Sequence, residues 1–144
     1  MTGSTDELLA QVPLLQGLSG RQLREVASLV TTIDGEPGKV LTREGEQGQE
    51  FVLILDGQVD VRRGGEVIAT RGPGDYVGEI ALIEDVPRTA TVVAKTPVRI
   101  GVIGRREFRA LLDSDPEIDA QIRRVAAERE HDLDQGGSGA AAVT

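Results

Sequence analysis

Residues 74–94 read GDYVGEIALIEDVPRTATVVA, and they hold the side chains best suited to chemistry in this chain. Gly78 permits a backbone approach that a Cβ would block. If Glu79 to Leu82 open a short helical turn, the amides of Ile80 and Ala81 point outward without intrahelical partners. Outward amides and the local dipole suit an anion. Arg88, its approach set by Pro87, can return a planar guanidinium to that anion, preferably a phosphate. A carboxylate at Glu79 would repel a phosphate. Its presence makes sense if it accepts a hydrogen bond from a ligand hydroxyl and also orients Arg88. A ligand carrying one phosphate near a free sugar hydroxyl fits these groups. The plainer reading is a surface salt bridge between Glu79 and Arg88 on a hairpin.

The elements that must position these residues change character along the chain. Ser4 with Glu7 has capping-box spacing ahead of Leu8, Leu9 and Val12, and Pro13 is expected to close that helix. Ser19 with Gln22 repeats the spacing, and Leu23, Val26, Ala27 and Val30 follow as one apolar stripe. From about residue 33 to 103, seven or eight short apolar runs are separated by Gly, Pro and Asp-Gly signals. That pattern predicts a β-sandwich or barrel, with Asp56-Gly57 as the best hairpin signal. Helical periodicity returns after Gly104, with Phe108, Leu111 and Leu112 on one face. Asp115 is the expected N-cap of a last helix beginning at Pro116, with Ile118, Ile122 and Val125 as its stripe. The charges from Arg123 to Asp132 predict a solvated face, and the tail from Gln135 is too small-residue-rich to order itself. The expected organisation is one domain over 1–134: helices at about 5–30 and 105–133, strands between them, and a flexible tail at 135–144.

Composition removes several classes of function. A net charge of -8 argues against nucleic-acid binding driven by phosphate neutralisation. The absence of cysteine excludes disulfides, zinc-thiolate sites and iron–sulfur clusters. No run is long and apolar enough for a membrane span or a signal peptide, so a cytoplasmic location is expected. With two Phe, one Tyr and no Trp, the core must rest on Leu, Val and Ile.

The stretch resembles the phosphate-binding cassette of cyclic nucleotide-binding domains, found in protein kinase A regulatory subunits, cyclic nucleotide-gated channels and the catabolite activator protein. The kinase-subunit and channel type is the more similar. The resemblance extends to VPLLQGLSGRQLREVASLV at 12–30, GEQGQEFVLILDGQVDV at 45–61 and REFRALLDSDPEI at 106–118. It implies an α+β fold: an eight-stranded antiparallel β-roll, jelly-roll-like, flanked by N- and C-terminal helices. It also implies that Gly78 and Glu79 open the cassette and that Glu79 accepts the ribose 2′-hydroxyl. Arg88 would pair with the phosphate, helped by the amides of Ile80, Ala81 and Thr89. In members that prefer guanine, a threonine at the position of Thr89 contacts the base, although bacterial cAMP binders also carry Ser or Thr there.

Three departures stand out. Val77 replaces the usual aromatic. Arg71 occupies a position where an apolar residue is expected, often facing the base; it is a candidate base contact, with an outward orientation favoured. The last helix brings no aromatic to cap the base, which leaves Ile122, Arg123, Val125 and Leu133 as candidates, Arg123 being a second candidate base contact.

The implied function is a non-enzymatic sensor of cAMP, with cGMP second, that needs no cofactor and signals to a separate effector through movement of its C-terminal helices. The alternatives are a cGMP-preferring module and a degenerate pocket that serves only structure or protein interaction. A metal-dependent cupin needs an imidazole cluster, whereas His131 is the sole histidine. A transcription factor needs a basic recognition helix, whereas 119–134 is balanced in charge. Oligomeric state is left open.

Overall fold

The computed structural model describes Leu9, residues 12–78 and residues 87–136, with side chains through 128. Among the described residues eight strands form: β1 (Thr31–Gly35), β2 (Val40–Thr42), β3 (Glu50–Asp56), β4 (Val59–Arg63), β5 (Glu66–Arg71), β6 (Tyr76–Val77), β7 (Thr91–Ala94) and β8 (Val98–Gly104). They assemble into two four-stranded antiparallel sheets, ordered β1-β8-β3-β6 and β2-β7-β4-β5. The result is the expected β-roll, open between its two sheets rather than closed as a barrel.

Burial explains why the strands read so differently in sequence. All five residues from Phe51 to Leu55 in β3 are buried. Val52 and Ile54 join Val59, Val61, Val92, Ala94, Ile100 and Val102 between the sheets. Phe51, Leu53 and Leu55 point the other way, into a second core shared with the helices. A strand covered on both faces loses its alternation. β4 has one face toward solvent and keeps it, Val59 and Val61 being buried with Asp60 and Arg62 less so.

Among the described residues the full-length helices are α1 (Gly20–Leu29), α2 (Arg105–Ser114) and α3 (Pro116–Gly136), preceded by a 3-10 turn at Pro13–Leu15. Pro13 opens that turn, consistent with a ring that suits a first helical position. The Ser4–Glu7 pair lies outside the described residues. The expected capping box at α1 forms in both directions: the Gln22 amide donates to Ser19 Oγ (3.1 Å) and the Ser19 amide to Gln22 Oε1 (2.8 Å). Asp115 caps α3 by accepting from the amides of Glu117 (3.1 Å) and Ile118 (3.2 Å). Beyond the expected end at 133, α3 continues to Gly136.

The hairpin expectation at Asp56-Gly57 is corrected. β3 and β4 belong to different sheets, so this turn carries the chain from one sheet to the other. Gly57 has φ +86, and a Cβ there would overlap the Pro97 carbonyl of the adjacent turn. The tight hairpin is instead Gly64-Gly65, between paired Arg63 and Glu66, with φ +61 and +85. Two successive positive φ values match the type I′ turn, whose twist suits flanking strands. A two-residue turn signal says that the chain reverses, but not which strands pair across it.

All three aromatic residues stack in one column. Phe51 lies 4.7 Å from Phe108 and 6.0 Å from Tyr76, centroid to centroid. The column joins α2 to β3 and to β6, which leads directly into Gly78.

Candidate anion-binding site

Arg88 is a cation only 6% exposed to solvent, so its partners decide whether it is tolerable there. Its Nη1 donates to the Gly78 carbonyl (3.1 Å) and its Nη2 to the Glu50 carbonyl (2.5 Å). Two of the five guanidinium donors are thus fixed by backbone oxygens, which orient the planar group without placing a second formal charge on it. The arrangement depends on Gly78, whose φ is +93 and whose missing Cβ would overlap Arg88 Nη1.

The backbone at Arg88 is anchored as firmly as its side chain. Its amide donates to the Glu46 carbonyl (2.8 Å), and its own carbonyl accepts from the Gly45 amide (2.9 Å). Pro87 forms an isolated β-bridge with Gln47. The loop between β2 and β3 therefore grips residues 87 and 88, while the first residue of β3 holds the guanidinium.

The sequence-predicted residues divide into groups. Gly78, Arg88 and Thr89 lie together. Thr89 is half-buried, and its carbonyl accepts from Arg63 Nε (3.1 Å), which ties the tip of the β4–β5 hairpin to the residue after Arg88. Glu79, Ile80 and Ala81 lie outside the described residues. Val77 is fully buried in the core between the sheets, so the smaller side chain in place of an aromatic serves packing.

Arg71 requires a correction. The register pairs it with Val59, a fully buried residue. Directly opposed residues of an antiparallel pair share a face. Arg71 therefore projects on the interior face of its sheet, half-buried and with Nε shielded from solvent, rather than outward. Arg123 is exposed on α3, where Asp119 Oδ1 engages its Nε at 2.7 Å. Of the other candidate lids, Ile122 is buried, Val125 packs against the helix-side core, and the side chain of Leu133 lies outside the described residues.

Residue-by-residue inspection of the sequence missed the groups that hold Arg88. Glu50, Glu46 and Gly45 act through backbone atoms, so their side-chain types carry no signal of the role. The only local sign is the pair of glycines in GEQGQE, which marks a loop without saying what it grips. Among the described residues no cluster of three His, Cys, Asp or Glu is placed to hold a metal ion.

Comparison with known proteins adds three kinds of likeness. The profile of the cyclic nucleotide-binding domain matches residues 34–115. A cAMP-dependent protein kinase regulatory subunit of Yarrowia lipolytica is 40% identical over 109 residues, covering 74% of this chain and 29% of that protein. The chain thus spans under a third of the length of this relative. Among solved structures, cAMP-bound PfPKA-R superimposes with a TM-score of 0.78 at 26% identity, over 96% of this chain and 49% of that one. The regulatory subunit of a cAMP-independent protein kinase A from Trypanosoma brucei superimposes with a TM-score of 0.77 at 28% identity, over 91% of this chain and 47% of that one.

Proposed function

The chain belongs to the cyclic nucleotide-binding domain family, and on that premise we propose that it binds a cyclic purine mononucleotide, cAMP foremost, one per chain. The family is one of binding domains and its curated relatives are regulatory subunits, so the domain is a ligand-binding rather than a catalytic unit. The observation that carries the proposal is Arg88: a buried guanidinium pre-oriented by two carbonyls, in a position that a Cβ at residue 78 would overlap. A desolvated and oriented guanidinium suits a singly charged phosphate diester. Gly78, Glu79, Ile80, Ala81, Arg88 and Thr89 are the proposed ligand set, with Glu79 on the ribose 2′-hydroxyl and the amides of Ile80, Ala81 and Thr89 beside the phosphate.

Shared fold does not fix the ligand, since one close structural neighbour is described as cAMP-independent. Two features of this chain support a second reading, preference for cGMP: the hydroxyl of Thr89 and the interior orientation of Arg71, which offers donors to a guanine carbonyl. The domain is proposed to run from the N-terminus through the end of α3 at Gly136, two residues past the expected boundary at 134, and to act in the cytoplasm on a separate effector protein through its C-terminal helices.

Side-by-side calorimetry with cAMP, cGMP and AMP tests the reading. Binding of a cyclic nucleotide at unit stoichiometry, with AMP much weaker, is the expected result. Tighter cGMP binding selects the second reading, and no heat with either cyclic nucleotide up to millimolar concentration overturns both.

A further inference from the structure

Three successive carbonyls at the entry to β3 are divided between two arginines. Glu50 O accepts from Arg88 Nη2 (2.5 Å), Gly48 O accepts from Arg105 Nη1 (2.8 Å), and Gln49 O accepts from the Arg105 amide (2.7 Å). Arg105 therefore holds the segment whose next carbonyl holds Arg88. On its other side the same loop grips the Arg88 backbone through Gly45 and Glu46.

Helix electrostatics do not account for an arginine at this place. Arg105 is the first residue of α2, whose N-cap Gly104 supplies no side-chain bond. A cation in a helix's first turn is opposed by the dipole, so an alanine there would suit α2 at least as well. Gly48 accounts for it instead. The residue is buried, and its carbonyl would lose a charge-assisted bond if the guanidinium withdrew, with little access to water in exchange.

We infer that Arg105 is a positioning residue for the anion site: by clamping the carbonyls of residues 48 and 49 it sets where Glu50 O lies, and through that oxygen the orientation of Arg88. The inference rests on the proposed cyclic nucleotide binding. Arg105 itself is not required to touch the ligand.

A double-mutant cycle with cAMP as the probe separates this role from simple structural support. Calorimetric titration to millimolar cAMP is run on the parent, Arg105→Ala, Arg105→Lys, Arg88→Ala and the Arg105→Ala/Arg88→Ala pair, each checked by a thermal melt. Loss of one orienting charge-assisted bond should weaken binding about tenfold in Arg105→Ala. Arg105→Lys should recover part of it, because an ammonium can still donate to Gly48 O. In the Arg88→Ala background the same change should cost less than about twofold, since residues that act through one another are not additive. Full additivity assigns Arg105 a general structural role and overturns the inference. So does parent-like affinity in Arg105→Ala when Arg88→Ala is weakened, an outcome that leaves the proposed function standing. Should Arg105→Ala not fold, Arg105→Met, which keeps an apolar stem but no donor, takes its place, and parent-like affinity there overturns the inference equally. Absence of binding by the parent, or an Arg88→Ala protein that binds like the parent, removes the functional reading itself.

Discussion

At Arg88 the global and local fields oppose each other. The chain carries a net charge of -8, which does not favour an anionic ligand, so the attraction must come from groups within bonding distance. Truncating one partner of a buried charge pair typically costs about 2–5 kcal/mol, which is roughly thirtyfold to several thousandfold in affinity. Arg88→Ala is expected to weaken cyclic nucleotide binding within that range by calorimetry, and Arg88→Lys to rescue it only in part for want of the planar fork. Binding within about threefold of the parent by a folded Arg88→Ala protein would place the phosphate elsewhere. Gly78 permits a second test with an internal control. Gly17 has nearly the same backbone angle, φ +90 against +93, but open space where its Cβ would stand. Both Gly17→Ala and Gly78→Ala should lower stability by about 1–2 kcal/mol through the left-handed backbone alone. Only Gly78→Ala should also lose nucleotide affinity, because its Cβ displaces the guanidinium. Equal affinities in the two variants would refute the steric role assigned to Gly78.

Among the elements, α2 and the α2–α3 junction connect the roll to the helices. Phe108 is fully buried and stacked on Phe51. Phe108→Ala should cost about 3–5 kcal/mol, read as the free energy of unfolding in urea. At the junction, Gln22 donates from Nε2 toward both carboxylate oxygens of Asp115 (3.4 and 3.3 Å) and to Glu117 Oε2 (3.3 Å). Partial desolvation pushes the Asp115 carboxyl up. The amide of Ile118, the Gln22 side chain, the amide of Glu117 and the charge of Arg21 together outweigh it and hold the group below its ordinary value. A depressed carboxyl contributes stability above its unfolded-state pKa and loses it as pH falls through the folded value. The cap should therefore act fully at neutral pH and fade only in acid, below the ordinary carboxylate range. Asp34 behaves alike on β1, lowered chiefly by its hydrogen bond from Arg99 Nε at 2.8 Å. Thermal melts of the parent and Asp115→Asn should differ at pH 7 and converge once pH falls below the ordinary carboxylate range; a constant gap would show that the carboxylate's charge is not what matters.

For the molecule as a whole, the proposed coupling of nucleotide occupancy to α3 needs a physical route. Among the described residues two physical connections leave the site region: the successive carbonyls of residues 48–50, divided between Arg105 and Arg88, and the aromatic column from Tyr76 through Phe51 to Phe108. Both end on α2, which packs against α3 through Leu111, Leu112, Ile118 and Ile122. α3 is held to the N-terminal segment by Gln121 Nε2 donating to the Gln16 carbonyl (2.9 Å). Saturating cAMP is expected to change hydrogen exchange over residues 116–128 as well as at the site. Protection there that is identical with and without nucleotide would favour ligand storage over signalling. No helix among the described residues is long and apolar enough to cross a membrane.

The candidate site was legible to the extent that it is local. Gly78, Pro87, Arg88 and Thr89 lie within a dozen residues, and their types declare what they can do: a backbone without Cβ, a fixed φ, a planar cation, a hydroxyl. The Ser19–Gln22 box and the Asp115 cap were legible for the same reason, since a cap is completed within one turn. Tertiary structure decided what depends on partners far along the chain. Arg88 leans on the Glu50 carbonyl, 38 residues away, through an atom that every residue type possesses. Arg71 faces inward because of the strand that pairs beside it, and Asp56-Gly57 crosses between sheets because β3 found β8 rather than β4. Side-chain chemistry is written residue by residue, whereas strand pairing and backbone contacts are settled only when distant segments compete to bury the same apolar faces.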